Sequence, residues 1–213
     1  MKYIIMCSGR YEQWRYPKQL SMIHGETLIQ RTIRLLTENA VKKKDIKLTV
    51  TPELRDILLK DGLPVSVIPR VKELWIDCFY PMNEPCTYLY GDVVYSPNAI
   101  KTIVETETDD IEFFASAPPF AKNYSKKWAE PFAFKVVNQS VFKEAIEIAK
   151  DLHLNQHLFK REPISWELWQ VIKGTPINKI DYTNYTVIND YTCDIDEPSD
   201  IYKFEGGSEW HTT

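Results

Sequence analysis

Three short stretches of this 213-residue chain carry side chains suited to handling a polyphosphate. In "MCSGRYEQWRYPKQL", Cys7 and Ser8 lead into Gly9, which permits close backbone approach, and Arg10, Arg15 and Lys18 set three cations against the single acid Glu12. In "YLYGDVV", Gly91 and Asp92 follow an apolar run. A carboxylate so placed is a candidate ligand for Mg²⁺, which takes one or two carboxylates and completes its shell with water and phosphate oxygens. In "CDIDEPSD", Asp194 and Asp196 are two apart and project to the same side of an extended segment. Each stretch has a plainer reading as well: solvated surface cations, a turn aspartate, and acids favoured at the start of the helix that Pro198 opens.

The elements that must position these residues follow from the apolar pattern. Residues 3–7 form a continuous apolar run, as a strand buried on both faces requires. The next helix starts only at Thr27, where Thr27 and Gln30 make a capping box and Leu28, Ile29, Ile33, Leu35 and Leu36 supply an apolar stripe to about Glu38. The connection is thus about twenty residues long where such loops usually take roughly 2 to 6. In open α/β sheets ligands bind beyond the carboxyl ends of the strands, which is where this long loop lies.

Residues 47–50, 65–68 and 87–90 are further strands. Thr51-Pro52-Glu53 opens a helix that Gly62 ends, and Ser96-Pro97 opens another to about Val104. This alternation predicts a mainly parallel sheet. Residues 111–116 and 131–137 are both strand-like and turn the sheet mixed. Ser140 is expected to cap a helix to about Lys150, residues 164–173 make another, and 186–188 a late strand. A single domain is expected over residues 1–213.

Bulk properties exclude several classes. With 44% hydrophobic residues and a formal charge of −4 the chain can bury a substantial core but presents no large nucleic-acid footprint. Its four cysteines are scattered without a CxxC pair and no leader-like segment opens it, so a cytoplasmic location is expected. No apolar stretch approaches the roughly 18 to 20 residues of a membrane span. His153 and His157 are four apart, but "HLNQH" lacks the glutamate of the HExxH zinc motif. Trp166, Trp169 and Ile172 are spaced as a packed helix stripe.

Together, "IIMCSGRYEQWRYPKQLSMIHGETLIQRTIRLL", "YLYGDVVYS" and "DIDEPSDI" resemble the corresponding segments of MobA-like and sugar-phosphate or cytidylyl nucleotidyltransferases. The resemblance is firmest over the first 36 residues and thin between Glu105 and Ile188. It implies a three-layer, Rossmann-like, GT-A-like α/β fold with a mixed, mainly parallel sheet and helices on both faces. It implies that Cys7, Ser8, Gly9, Arg10, Lys18 and Gly91 surround a nucleotide triphosphate. Lys18, with Arg15 and Arg10, would neutralise charge during transfer, and Asp92, Asp196 and Asp194 would hold Mg²⁺ or Mn²⁺. The expected partners are an NTP and a small phosphorylated sugar or alcohol acceptor, with neither nucleic acid nor membrane, in a possible homodimer. The chain departs from the pattern where Tyr11 replaces the second loop glycine and Gln13 the arginine. That departure keeps a nucleotide-binding domain without turnover among the readings. A glycosyltransferase of the same fold is disfavoured, since "GDVV" lacks a DxD pair. The acceptor-side region is expected at about 111–140, with residues 79–82, 120–128 and "EPFAF" lining the acceptor pocket and Lys122, Lys126 and Lys127 nearby.

Overall fold

The structure is a computed structural model that describes residues 1–9, 14–60, 62–63, 65–70, 73–117, 129–159, 161–177 and 180–205. In chain order the elements are β1 (Lys2–Cys7), β2 (Met22–Ile23), β3 (Glu26–Thr27), α1 (Leu28–Glu38), β4 (Ile46–Val50), α2 (Pro52–Lys60) and β5 (Ser66–Pro69). They continue with β6 (Cys86–Tyr90), β7 (Val93–Val94), α3 (Pro97–Glu105), β8 (Ile111–Ala115), β9 (Pro131–Val136), α4 (Gln139–Leu154), α5 (Ser165–Lys173), β10 (Thr186–Val187), β11 (Cys193–Asp194) and α6 (Tyr202–Glu205).

Seven strands form one sheet in the order β10-β8-β9-β6-β1-β4-β5. All neighbours pair parallel except at β9, which runs antiparallel to both β6 and β8. From β1 the chain first builds outward through β4 and β5, then returns to add β6 on the other side of β1. The carboxyl ends of β1 and β6 therefore flank the point where the strand order reverses, the usual ligand crevice of an open α/β sheet.

Neighbouring residues of β9 show that helices cover both faces. Phe134 packs against Phe142 of α4 and Trp169 of α5. Lys135, which points to the opposite face, donates to the carbonyls of Val104 and Thr106 at the end of α3. Burial lowers the Lys135 pKa, and the two carbonyls satisfy its ammonium. The layers are α4 and α5, the sheet, and α3 with α1.

Local signals explain most boundaries. Thr27 and Gln30 form the expected reciprocal capping box of α1. Thr51 accepts from the Leu54 amide at the start of α2, and Ser96 from Ala99 at the start of α3. The cap of α4 differs from expectation: Asn138, not Ser140, accepts from the Val141 amide, while the Ser140 hydroxyl donates to Asn138. That helix also runs to Leu154, beyond the expected end. It stops before His157, whose φ of 54° is left-handed, so His153 and His157 do not share a helix face.

Of the aromatic residues expected to line an acceptor pocket, Phe79, Phe132 and Phe134 are core instead and Tyr80 is half-buried. Phe79 meets Tyr88, Phe134 and Phe142 edge-on at 5.2–5.6 Å, and Met82, Phe132 and Phe134 are buried. Trp166 and Trp169 pack on Phe113 as a helix stripe should. Residues 120–128, with Lys122, Lys126 and Lys127, lie outside the described residues.

Candidate functional site

The site begins with strand register. Met6 of β1 pairs with Tyr90 of β6, so Cys7 and Gly91 leave the sheet side by side. The Gly91 amide donates to the Met6 carbonyl at 3.0 Å. A Cβ on Gly91 would fall 2.5 Å from the Cys7 sulfur and 2.6 Å from the Met6 carbonyl oxygen, so the close approach tolerates glycine alone. This crossing sets Asp92 at the carboxyl end of β1. Burial, with Asp92 nearby, pushes the Cys7 thiol pKa up, so Cys7 is a packing thiol and any ligand contact from it is through its backbone.

A second chain segment is laid along Asp92. β11 pairs antiparallel with β7, matching Asp194 to Val93, and the Ile195 amide donates to the Asp92 carbonyl at 2.9 Å. Further back, the Ser96 hydroxyl donates to the Asp190 carboxylate at 2.6 Å, and the Ser96 amide to the Thr192 hydroxyl at 3.0 Å. Six residues of late sequence are thereby tied to the segment that follows β6. The Asp200 carboxylate accepts from the Asp196 and Glu197 amides and turns the chain just past the site.

Residues 14–20 of the long loop after β1 close the third side. Lys18 opens a 3₁₀ turn, Lys18–Leu20, that the fixed φ of Pro17 prepares. The lysine is 7% exposed, and its Nζ lies 2.6 Å from an Asp92 carboxylate oxygen and donates to the Ile195 carbonyl at 3.1 Å. Burial pulls the Lys18 pKa down. The charge and hydrogen bond of Asp92, with Asp196 and Asp194 behind them, outweigh it and carry the pKa above the usual lysine value. The buried indole of Trp14 donates to the Asp196 carbonyl at 2.9 Å, a second tie between the loop and the late segment.

Lys18, Gly91, Asp92, Asp194 and Asp196 are thus brought to one place. Arg15 is exposed and makes no ion pair among the described residues, and Arg10, like Tyr11 and Gln13, lies outside them. Ser8 and Gly9 follow directly on β1. The buried Ser8 hydroxyl and Gln19 carbonyl oxygen find no partner among the described residues, and both lie in the loop that starts beside Asp92.

Among the described residues no three His, Cys, Asp or Glu side chains form a ready metal group. The acids present are oxygen donors, with Asp92 partly exposed and Asp196 exposed. That donor set suits a hard cation arriving with its own phosphate oxygens and does not suit a closed, all-protein cage.

Sequence reading missed two contributors. Trp14 was one aromatic among several, and nothing in its neighbourhood marks it as a tether. Arg31 of α1 donates to the Tyr95 carbonyl at 3.1 Å and to the Tyr191 hydroxyl at 3.2 Å, bracing both segments behind the site from a helix position that reads as ordinary. The β2–β3 hairpin was read only as a turn; His24 and Gly25 have φ of 50° and 82°, as a two-residue hairpin turn with both residues left-handed requires.

No family model and no curated protein matches the chain. Solved structures do. Inositol-1-phosphate CTP transferase from T. maritima aligns over 97% of this chain and 96% of its own, at a TM-score of 0.58 and 18% identity. The 4-diphosphocytidyl-2C-methyl-D-erythritol synthase of Anaerococcus prevotii aligns over 95% and 93%, at 0.62 and 11%. HddC from Yersinia pseudotuberculosis, solved with GMP-PN, aligns over 96% and 98%, at 0.56 and 17%. At these identities the likeness is one of fold. The chain has the three-layer, Rossmann-like α/β fold that these solved structures share.

Proposed function

We propose that the protein is a divalent-metal-dependent nucleotidyltransferase that moves a nucleoside monophosphate from an NTP to a small phosphorylated sugar or alcohol. The observation that carries this reading is the buried, charged Lys18 facing Asp92 and the Asp194–Asp196 segment at the strand-order reversal. A buried cation beside three acids is poorly matched to a neutral ligand, and the mixed set suits a polyphosphate that arrives with a divalent cation.

In this reading an acceptor oxygen attacks the α-phosphorus as the bond to the β-phosphate's bridging oxygen breaks, and pyrophosphate leaves with the electron pair. Such chemistry depends on positioning and charge stabilisation more than on a protein nucleophile. Lys18 supplies positive charge to the triphosphate, and the backbone from Cys7 to Gly9 gives the phosphates close approach. Asp92, with Asp196 and Asp194, is the carboxylate set for Mg²⁺, or Mn²⁺ in its place; when bound, the ion adds positive charge where the phosphate oxygens gain negative charge.

The acceptor belongs to residues 111–140 in this reading. Because β9 runs antiparallel to β6, its start lies at the same sheet edge as Asp92. The neck of that region is fixed, with the Ser116 amide donating to the Glu130 carbonyl at 2.9 Å and the Glu130 amide to the Ser116 hydroxyl at 2.8 Å. Among the described residues no helix is long and apolar enough to cross a membrane. We place the enzyme in the cytoplasm, as a possible homodimer serving surface-polysaccharide or glycoconjugate synthesis. The test is pyrophosphate release from each common NTP with a panel of sugar and polyol phosphates. Release with one pair supports the reading, whereas nucleoside diphosphate release from a nucleotide-sugar would move it to a glycosyltransferase.

A further inference from the structure

The position of Lys18 bears on how a metal ion would reach the site. Its ammonium lies 2.6 Å from the Asp92 carboxylate, at hydrogen-bond contact, with the Ile195 carbonyl as its other partner. A cation approaching Asp92 from solution meets an oxygen already neutralised by a lysine that is itself out of water. Evicting that ammonium without a new anionic partner leaves a buried charge uncompensated, which is costly. A nucleotide polyphosphate is such a partner.

Building on the nucleotide-transfer reading, we propose that Lys18 guards Asp92 against free divalent cations, and that the metal gains Asp92 only when a polyphosphate draws the lysine away. Metal and nucleotide binding are then positively coupled, each raising the other's affinity by the same factor. The guard also keeps the acids of the empty site from holding adventitious ions.

The test reads metal binding, not activity. Free Mn²⁺ is followed by electron paramagnetic resonance during titration into the wild type, Lys18→Met and Lys18→Gln, with folding checked by circular dichroism. The expected result is Mn²⁺ binding without nucleotide that is about tenfold tighter or more in either folded Lys18 variant than in the wild type, equivalent to the loss of one competing ion pair. Arg15→Met, which removes a charge from the same loop, changes it less than about twofold, since an exposed charge is screened. The double variant with Asp92→Asn loses the gain.

Wild type that binds Mn²⁺ alone as tightly as the Lys18 variants overturns the proposal, as does an equal gain in Arg15→Met. Should both Lys18 variants fail to fold, the wild type decides by itself. Tighter Mn²⁺ binding in the presence of tripolyphosphate, beyond what tripolyphosphate alone chelates, supports the guard, and no such gain overturns it. The nucleotide-transfer reading fails separately, if no NTP changes the wild type's unfolding temperature.

Discussion

Gly91 is the residue on which the geometry turns, because the close approach of β6 to Met6 and Cys7 sets where Asp92 emerges. Gly91→Ala forces backbone and sulfur apart, and overpacking of this kind costs about 1–3 kcal/mol. We expect that loss in chemical denaturation, together with a fall in pyrophosphate release larger than the stability loss explains, since Asp92 moves with residue 91. Unchanged turnover in a folded Gly91→Ala would separate Asp92 from the chemistry. Trp14 gives a milder test. Trp14→Phe keeps the aromatic packing but removes the donor to the Asp196 carbonyl, a hydrogen bond worth roughly 0.5–1.5 kcal/mol. Turnover is expected to drop while the fold persists, and a variant with wild-type kinetics would show that the tether does no more than pack.

The elements divide into those that build the sheet and those that aim the site, and two helix caps tell them apart. Asn138 caps α4 at the end of the sheet opposite Asp92, since Val136 just before it pairs with Cys86 at the start of β6, whereas Ser96 caps α3 and also donates to Asp190 on the late segment. Loss of either cap costs on the order of 0.5–2 kcal/mol. Ser96→Ala is expected to lower turnover as well, because it frees the segment carrying Asp194 and Asp196, and Asn138→Ala to leave turnover unchanged. Equal kinetic effects in the two variants would contradict this division.

The same contrast explains what the sequence made legible. The long strands, α1 with its capping box and the Ser96-Pro97 start of α3 announce themselves because their signals are local. The pairing of β7 with β11 joins two two-residue strands about a hundred positions apart, and neither carries enough pattern to be seen alone. The candidate site was legible at Lys18, Gly91 and Asp92 for a related reason: the loop length and the Gly-Asp step both mark strand ends. Phe79, Phe132 and Phe134 misled because an aromatic that lines a pocket and one that fills a core look alike until the other side of the ring is known. Asn138 displaced Ser140 as a cap because both are good acceptors and only backbone register decides between them.

Across the whole molecule, charge pairs away from the site set the response to pH. A hydrogen bond from Arg34, outweighing the opposing effect of burial, holds the Glu26 carboxyl below the usual glutamate range. Glu26 lies on the β2–β3 hairpin that follows the long loop and meets both Arg31 and Arg34 of α1. A carboxyl whose folded pKa is depressed contributes stability that is fully present above its unfolded pKa, about 4.3, and lost as pH falls through the folded value. Unfolding free energies of wild type and Glu26→Gln should therefore differ near neutrality and converge in acid as pH falls through the depressed folded value. A gap independent of pH would assign the effect to packing. Lys18, with its pKa raised, stays charged through neutrality, so its titration cannot shape a neutral pH profile of activity.

The most direct test of the central claim is thermal unfolding of the wild type and Asp92→Asn with each common NTP, with and without Mg²⁺. A ligand at about 100 times its Kd adds roughly 2.7 kcal/mol to the folded state. One NTP is predicted to raise the wild type's unfolding temperature in a Mg²⁺-dependent way and to lose that dependence in Asp92→Asn. No shift with any NTP, or a shift that Asp92→Asn leaves intact, would contradict the assignment of Lys18 and Asp92 to a nucleotide site.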